Sequence, residues 1–250
     1  MITYIFSGKV MPERANVSVT ATILNIEAKD AGFSGKAIVS ISCSQVSVKF
    51  DTIDVNIGLL TLKNYMEYVV RTLVDAYGYL SGRGYDVEIT SVVDPDGKQT
   101  VFGVGITELE KAKDERPLSF KEILLVMLKS PYFDHALGDL REAIRSPSDT
   151  GFFCYRAVER LRQGFIEEED DNDEKKSWER LRNALNIDRS WIDKIKEFAD
   201  APRHGSFPYI SGEDRLLVMQ HAWKAMDRFA VYVHRGFNPL PKHEFALLLE

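Results

Sequence analysis

The stretch LLVMQHAWKAMDRFAVYVHR, residues 216–235, carries an apolar side chain at nearly every third or fourth position. These apolar positions fall on one face of a helix, and they are Leu216, Met219, Trp223, Met226, Ala230 and Val233. A stripe of this length is typical of a helix that packs against several neighbours. The sequence therefore predicts a long helix over 213–235 within a bundle.

Helical periodicity continues upstream of this stretch without a strand pattern. It predicts helices at 119–129, 132–145, 150–168, 175–186 and 189–200. The segment LEKAKDERPLS, residues 109–119, is charged and contains Pro117, as linkers between domains often do. We therefore place a domain boundary near residue 115, with an all-α domain over 116–250.

Residues 1–115 are dominated by alternation of apolar and polar side chains, which is typical of half-buried strands. The apolar members are Val17, Val19, Ala21 and Ile23, then Val39, Ile41 and Cys43, then Val46, Val48 and Phe50. The apolar phase slips by one residue after Gln45, which predicts either one bent strand or two strands.

One helix interrupts the strand signals, over 59–80, and Gly82 and Gly84 end it. A hairpin follows, with strands at 87–92 and 100–106 joined by the turn DPDG at 94–97. The predicted fold class is α+β: an N-terminal domain, 1–115, that is mainly antiparallel β with one helix, and a C-terminal helical domain.

Composition excludes several classes of function. The 250 residues contain 38 acidic and 32 basic side chains. The resulting net charge of -6 argues against binding of a nucleic-acid backbone by the whole protein surface. No apolar run approaches the ~18 residues of a membrane span. The two cysteines, Cys43 and Cys154, give no disulfide framework, so we expect a cytoplasmic protein.

Common cofactor and metal motifs are also missing from the sequence. It contains no glycine-rich phosphate loop, no G-x-S-x-G elbow and no H-E-x-x-H pair. The acidic run EEEDDNDEKK, residues 167–176, is more typical of a solvated loop than of a metal site. We therefore expect no cofactor and no metal.

A cluster of charged residues lies in YRAVERLRQGF, residues 155–165. Glu159 and Arg160 follow Arg156 by three and four residues, so both lie beside it on the predicted helix. Such a cluster can bind a phosphate-bearing ligand, and the alternative is a solvated face on which Glu159 balances its neighbours.

A second candidate segment is KEFADAPRHGSF, residues 196–207. Pro202 should open the preceding helix, so that Arg203 and His204 are presented just past its end. Histidine titrates near neutral pH and arginine stabilises phosphate charge. Arg203 and His204 are therefore the candidate catalytic residues, with Arg156 as an alternative source of the cation.

The order CYRAVERL (154–161), WERLRNAL (178–185), ADAPRHG (199–205) and the long final helix resembles the HEPN superfamily of helical domains. The likeness covers about residues 118–236 and leaves the N-terminal half unassigned. It implies a bundle that often dimerises and that, in many members, is a metal-independent endoribonuclease with its site between protomers. Those members have an arginine four to six residues before the histidine; here Arg203 is adjacent to His204 instead.

Two hypotheses follow from the sequence. In the first, the protein is HEPN-like, acts in RNA-directed stress or defence, and binds or cleaves RNA at the cleft of a homodimer. In the second, it is a non-enzymatic module whose helical half is a dimerisation scaffold and whose β-rich half captures a protein or small ligand. A metabolic enzyme centred on the N-terminal sheet ranks lowest, because residues 1–115 contain no histidine.

Overall fold

The computed structural model describes residues 1–54, 57–103, 105–167, 174–206 and 210–250. The chain divides into two compact units, Met1–Val104 and Gly105–Glu250. The first contains an antiparallel sheet and the second is helical, which confirms the predicted α+β class. The boundary predicted near residue 115 falls inside the second unit, at the end of the 3-10 helix Ala112–Glu115.

The described strands of the first unit form one six-stranded sheet in the order β2-β3-β4-β1-β5-β6. Their bounds are β1 Ile2–Met11, β2 Val19–Ala28, β3 Phe33–Ser42, β4 Gln45–Thr52, β5 Asp86–Val93 and β6 Gln99–Val101. Helix α1, Leu59–Ser81, contributes four apolar residues to the core of this unit: Leu62, Met66, Val70 and Val74. Gly82 ends the helix in the left-handed conformation, as predicted.

Strand β1 lies at the centre of the sheet, between β4 and β5, although no strand was predicted over these residues. Its pairing with β5 is irregular between Ser7 and Gly8. A Cβ on Gly8 would lie 2.2 Å from the carbonyl oxygen of Glu88, so only glycine fits there. This glycine interrupts the apolar alternation of β1.

The phase slip after Gln45 has a simple cause, because β3 and β4 are two strands joined by a tight turn. Cys43 and Ser44 form the loop, with φ of 50° and 64°, and Ser42 pairs with Gln45. Two consecutive residues with positive φ are typical of the type I′ hairpin turn.

Strand β2 differs from its prediction in which side chains face the core. Its register with β3 shifts between Val19 and Thr22, and beyond this irregularity Ile26 is buried whereas Ile23 is 58% exposed. The extra residue of a bulge reverses the faces of a strand, which alternation in the sequence does not reveal.

The hairpin after β5 is shorter than predicted. Asp94 and Gly97 make the turn, since the Gly97 N–H donates to the Asp94 carbonyl at 3.0 Å. Strand β6 ends at Val101, however, so the predicted strand over 100–106 stops early, and helix α2, Thr107–Lys111, begins just after its predicted end.

The described helices of the second unit reproduce the predicted series closely. Their bounds, after α2, are α3 Phe120–Lys129, α4 Pro131–Arg145, α5 Thr150–Gln163, α6 Glu174–Leu185, α7 Arg189–Glu197, α8 Asp200–Arg203 and α9 Gly212–His234. None of the helices in the described ranges is long and apolar enough to cross a membrane. The predicted long helix is α9, and its buried residues join a core that includes α4, α5, α6 and α7.

Two helix ends depart from the predictions. Helix α5 stops at Gln163 instead of 168, because Gly164 follows and Phe165 turns back to pack against Phe229, with ring centroids 6.0 Å apart. Pro202 lies within α8, a separate single turn, so Arg203 is the last helical residue and does not lie beyond the helix. Proline is tolerated there because the first N–H groups of a helix have no intrahelical acceptor.

Candidate functional site at the α5 and α8 helices

The charged residues of α5 are divided between two faces of the helix. Arg156 and Arg160 contact α4, whereas Glu159 contacts α8. Positions 156 and 160 are about one turn apart and share a face, and position 159 is rotated away from 160 by about 100°. The three residues predicted as one cluster therefore belong to two different contacts in the structure.

Asp139 on α4 accounts for the first face. Its side chain accepts hydrogen bonds from Arg156 Nε at 2.8 Å and from Arg160 Nε at 2.9 Å, one at each carboxylate oxygen. Arg156 Nη2 donates to the same oxygen as its Nε. Asp139 is only 3% exposed, so both arginines compensate a buried charge.

Asp139 was not among the site residues predicted from the sequence. The available signal was its position between Ala136 and Ala143, which are three and four residues away and are both buried. A carboxylate on a buried helical face needs a basic partner, but the sequence does not show which helix supplies it.

Glu159 and Arg203 form the second face, where α8 meets α5. The guanidinium Nη1 of Arg203 lies 3.7 Å from a carboxylate oxygen of Glu159, and its Cζ lies 5.5 Å from the centre of the Tyr155 ring. The contact with Glu159 is an ion pair without a close hydrogen bond. A phosphate oxygen could therefore compete for Arg203.

Burial raises the pKa of two side chains at this contact. Burial raises the pKa of the Glu159 carboxyl, and the nearby charges of Arg203 and Arg162 oppose that rise. Burial and the charge of Glu159 also raise the pKa of Tyr155 to about 12. A carboxyl with a raised pKa beside a cation is a common feature of functional sites and also of structural ion pairs.

Arg162 forms the buried side of this cluster. Its Nη1 donates to Ser177 Oγ at 3.1 Å, and its Cζ lies 5.4 Å from the centre of the Trp178 ring. Its buried Nε has no hydrogen-bond partner among the described residues. Trp178 in turn stacks on Tyr155, with ring centroids 6.1 Å apart. This packing holds in place the Tyr155 ring over which Arg203 lies.

His204 follows Arg203 directly and caps α8. Its backbone N–H donates to the carbonyl oxygens of Asp200 and Ala201, and Gly205 then turns the chain with φ of 79°. The residue is exposed, and within the described ranges its imidazole has no hydrogen bond or ion pair. The imidazole is therefore accessible to a ligand.

Metal binding finds no support among the described residues, where no group of three or more His, Cys, Asp or Glu side chains could hold an ion. The solvated loop predicted at 167–176 lies mostly outside the described residues, which omit 168–173. The described residues instead bring together a cation, a carboxyl with a raised pKa and an exposed imidazole on one short segment and its neighbouring helix.

Comparison with known proteins identifies two regions of the chain. Residues 4–102 match the N-terminal domain of DUF8168, a domain of unknown function, and residues 120–234 match its C-terminal domain. These ranges follow the β-rich and the helical unit closely. No curated protein and no solved structure matches the chain significantly.

Proposed function

We propose that this chain, which carries both domains of DUF8168, binds RNA at the α5 and α8 surface of its helical unit and cleaves it without a metal ion. The observation that carries the proposal is the accessible pair of Arg203 and His204, with Glu159 3.7 Å from the guanidinium. The resemblance of the helical half to the HEPN superfamily supports the same reaction.

The roles follow from the chemistry of RNA cleavage. His204 takes the proton of the ribose 2′-hydroxyl, whose oxygen attacks the adjacent phosphorus and expels the 5′-oxygen of the next nucleotide. Arg203 stabilises the charge that develops on the phosphate oxygens. Arg156, the alternative cation, is less suitable because both of its bonds to Asp139 would have to break.

The dimer expected from the HEPN resemblance would bring two copies of Arg203 and His204 to one cleft and so double the local positive charge. We place the reaction in the cytoplasm, since Cys43 and Cys154 are both free thiols.

The test uses the full chain and a fluorescent single-stranded RNA, with the DNA of the same sequence as the substrate control. We expect cleavage of RNA alone, in the presence of EDTA, with products that end in a 2′,3′-cyclic phosphate. His204→Ala should abolish cleavage and Arg203→Ala should weaken both binding and cleavage. Matched controls are His243→Ala and Arg189→Ala, whose side chains are exposed in the same unit.

Two results would contradict the proposal. The first is that the His204→Ala variant cleaves RNA as fast as the wild type. The second is that Arg203→Ala and the control Arg189→Ala reduce RNA affinity by the same factor. Circular dichroism of every variant separates a lost site from a lost fold.

A second candidate function, a dimerisation scaffold, is favoured by the outer face of α3. Phe120 and Leu128 are 79% and 84% exposed, and Leu124 lies between them on the same face. If this function is correct, Leu128→Asp lowers the association state measured by sedimentation without affecting the thermal unfolding of its helices.

A further inference from the structure

The two edges of the sheet are protected to very different degrees. Strand β6 at one edge is three residues long, whereas β2 at the other edge is ten residues long. An edge strand exposes unpaired N–H and C=O groups that can pair with another strand, and proteins usually shorten or charge such edges. The β6 edge is shortened in this way and the β2 edge is not.

The sequence of β2 also lacks the residues that usually block edge pairing. Val19–Ala28 contains no lysine, arginine or proline, and its one charged side chain is Glu27. Its irregularity is confined to Val19–Thr22, and Thr22 to Ala28 pair with β3 without interruption. In an antiparallel pair every second residue directs its N–H and C=O away from the partner. The outer edge of Thr22–Ala28 is therefore a regular row of backbone donors and acceptors.

The side chains along this edge suit a strand partner. Ile23 is 58% exposed on the open face, and Leu24 is half-buried on the face that packs on the core. β-branched and large apolar side chains stabilise pairing with residues on a neighbouring strand. An added strand would thus gain contacts on both faces of the sheet.

We propose that β2 is a strand-addition site and that its occupant is β2 of a second copy of this chain, paired antiparallel about a twofold axis. The position of Glu27 favours this arrangement. A twofold axis at Asn25 places Glu27 opposite Ile23 of the second copy, and the two Glu27 side chains are then about 13 Å apart along the strand. That distance exceeds the Debye length of about 8 Å at physiological ionic strength.

A parallel, in-register pair is less favourable, because each Glu27 would lie beside its copy, where like charges are destabilising. The twofold pair is also closed, since each β2 edge meets the other and no further edge of this length remains among the described strands. The result is one continuous sheet formed by the first units of the two copies. This inference concerns the first unit and does not depend on the proposed RNA site.

Cross-linking of the full chain tests the pairing directly. In a Cys43→Ser background, the buried Cys154 is the remaining thiol. Asn25→Cys should give a covalent dimer with a short bifunctional maleimide, because this residue lies at the proposed twofold axis. Ser47→Cys, on an exposed position of the inner strand β4, is the control and should give none.

Sedimentation of uncross-linked variants gives the second measurement. Ile23→Lys should raise the dissociation constant of the dimer by about tenfold or more, because lysine on an edge strand resists pairing. Ile5→Lys is the matched control: Ile5 is 45% exposed on the inner strand β1, and its substitution should leave the constant unchanged.

Either of two results would overturn the inference. The first is a failure of Asn25→Cys to cross-link, whether the chain is then monomeric or dimerises through its helical unit. The second is an equal effect of Ile5→Lys and Ile23→Lys, which would place the contact on the open face of the sheet. Circular dichroism and thermal unfolding confirm that each variant remains folded.

Discussion

Asp139 and Arg160 are joined by a hydrogen bond of 2.9 Å between a carboxylate that is almost fully buried and the Nε of the arginine. Arg156 bonds the other oxygen of the same carboxylate. Two of the three arginines considered as RNA ligands therefore compensate an internal charge. Arg203, whose contact with Glu159 is longer, is the arginine that a phosphate can recruit.

Asp139→Ala should destabilise the helical unit by about 2–4 kcal/mol, because it removes the acceptor of two arginines beside the core. Urea unfolding followed by circular dichroism measures this change. Asp193→Ala is the control and should cost less than about 0.5 kcal/mol, since Asp193 is exposed and pairs with exposed Arg189. Equal losses of unfolding free energy for the two substitutions would mean that the buried carboxylate stabilises the fold no more than an exposed one does.

Glu159→Gln should make the protein more stable than the wild type at pH 8 but not at low pH. The folded pKa of Glu159 lies above the ordinary value of 4.5, so the folded state holds this proton more tightly than the unfolded state. The resulting stabilisation is fully present below 4.5 and is lost as the pH rises through the folded pKa.

Unfolding free energies of both proteins from pH 4 to pH 8 check this prediction, because their difference isolates the one carboxyl. Glu179→Gln, on an exposed position of α6, is the control for the amide substitution itself. A pH-independent difference for Glu159→Gln would show that burial does not shift its titration.

Gly151→Ala should destabilise the helical unit by at least about 1–3 kcal/mol. A Cβ at this position would lie 2.3 Å from the carbonyl oxygen of Phe198, which is backbone and cannot rotate away. Gly138→Ala is the matched control within α4: a Cβ there meets nothing within 4 Å, so helix propensity alone should add about 0.5–1 kcal/mol. Thermal unfolding measures both changes in stability, which should have opposite signs. A Gly151→Ala variant more stable than the wild type would contradict the packing of α5 against the Phe198 backbone.

Cys43→Asn should stabilise the first unit by a few tenths to about 1 kcal/mol. Cys43 has φ of 50° in the hairpin turn, and asparagine adopts this left-handed conformation more readily than other residues with a Cβ. The side chain is exposed, so no packing is lost. Chemical unfolding measures the gain, with Cys43→Val as the opposite case, because a β-branched residue disfavours positive φ.

Helix positions in the second unit were predictable because they depend on local periodicity. The capping box of Ser119 and Glu122 begins α3, and this signal lies within a few residues of the helix it bounds. The strands were harder. The central strand β1 escaped prediction because Gly8 interrupts its alternation, and the irregularity in β2 reversed the face on which Ile23 lies.

The candidate site was only half predictable for a related reason. The sequence singled out Arg156, Glu159 and Arg160 as a charged cluster on one side of a helix, and Arg203 and His204 as residues just past a helix end. It could not assign partners to any of them. Asp139 lies 17 residues before Arg156 on another helix, so their bond depends on how α4 packs on α5.

By itself, the sequence determined where most chain segments become helix or strand, because propensity, capping and apolar periodicity act over one or two turns. Tertiary structure alone decided which charges meet. A buried carboxylate pairs with whichever cations the packing of neighbouring helices brings within hydrogen-bond distance. Arg156 and Arg160 therefore pair with the buried Asp139, whereas Arg203 lies beside Glu159 at the surface.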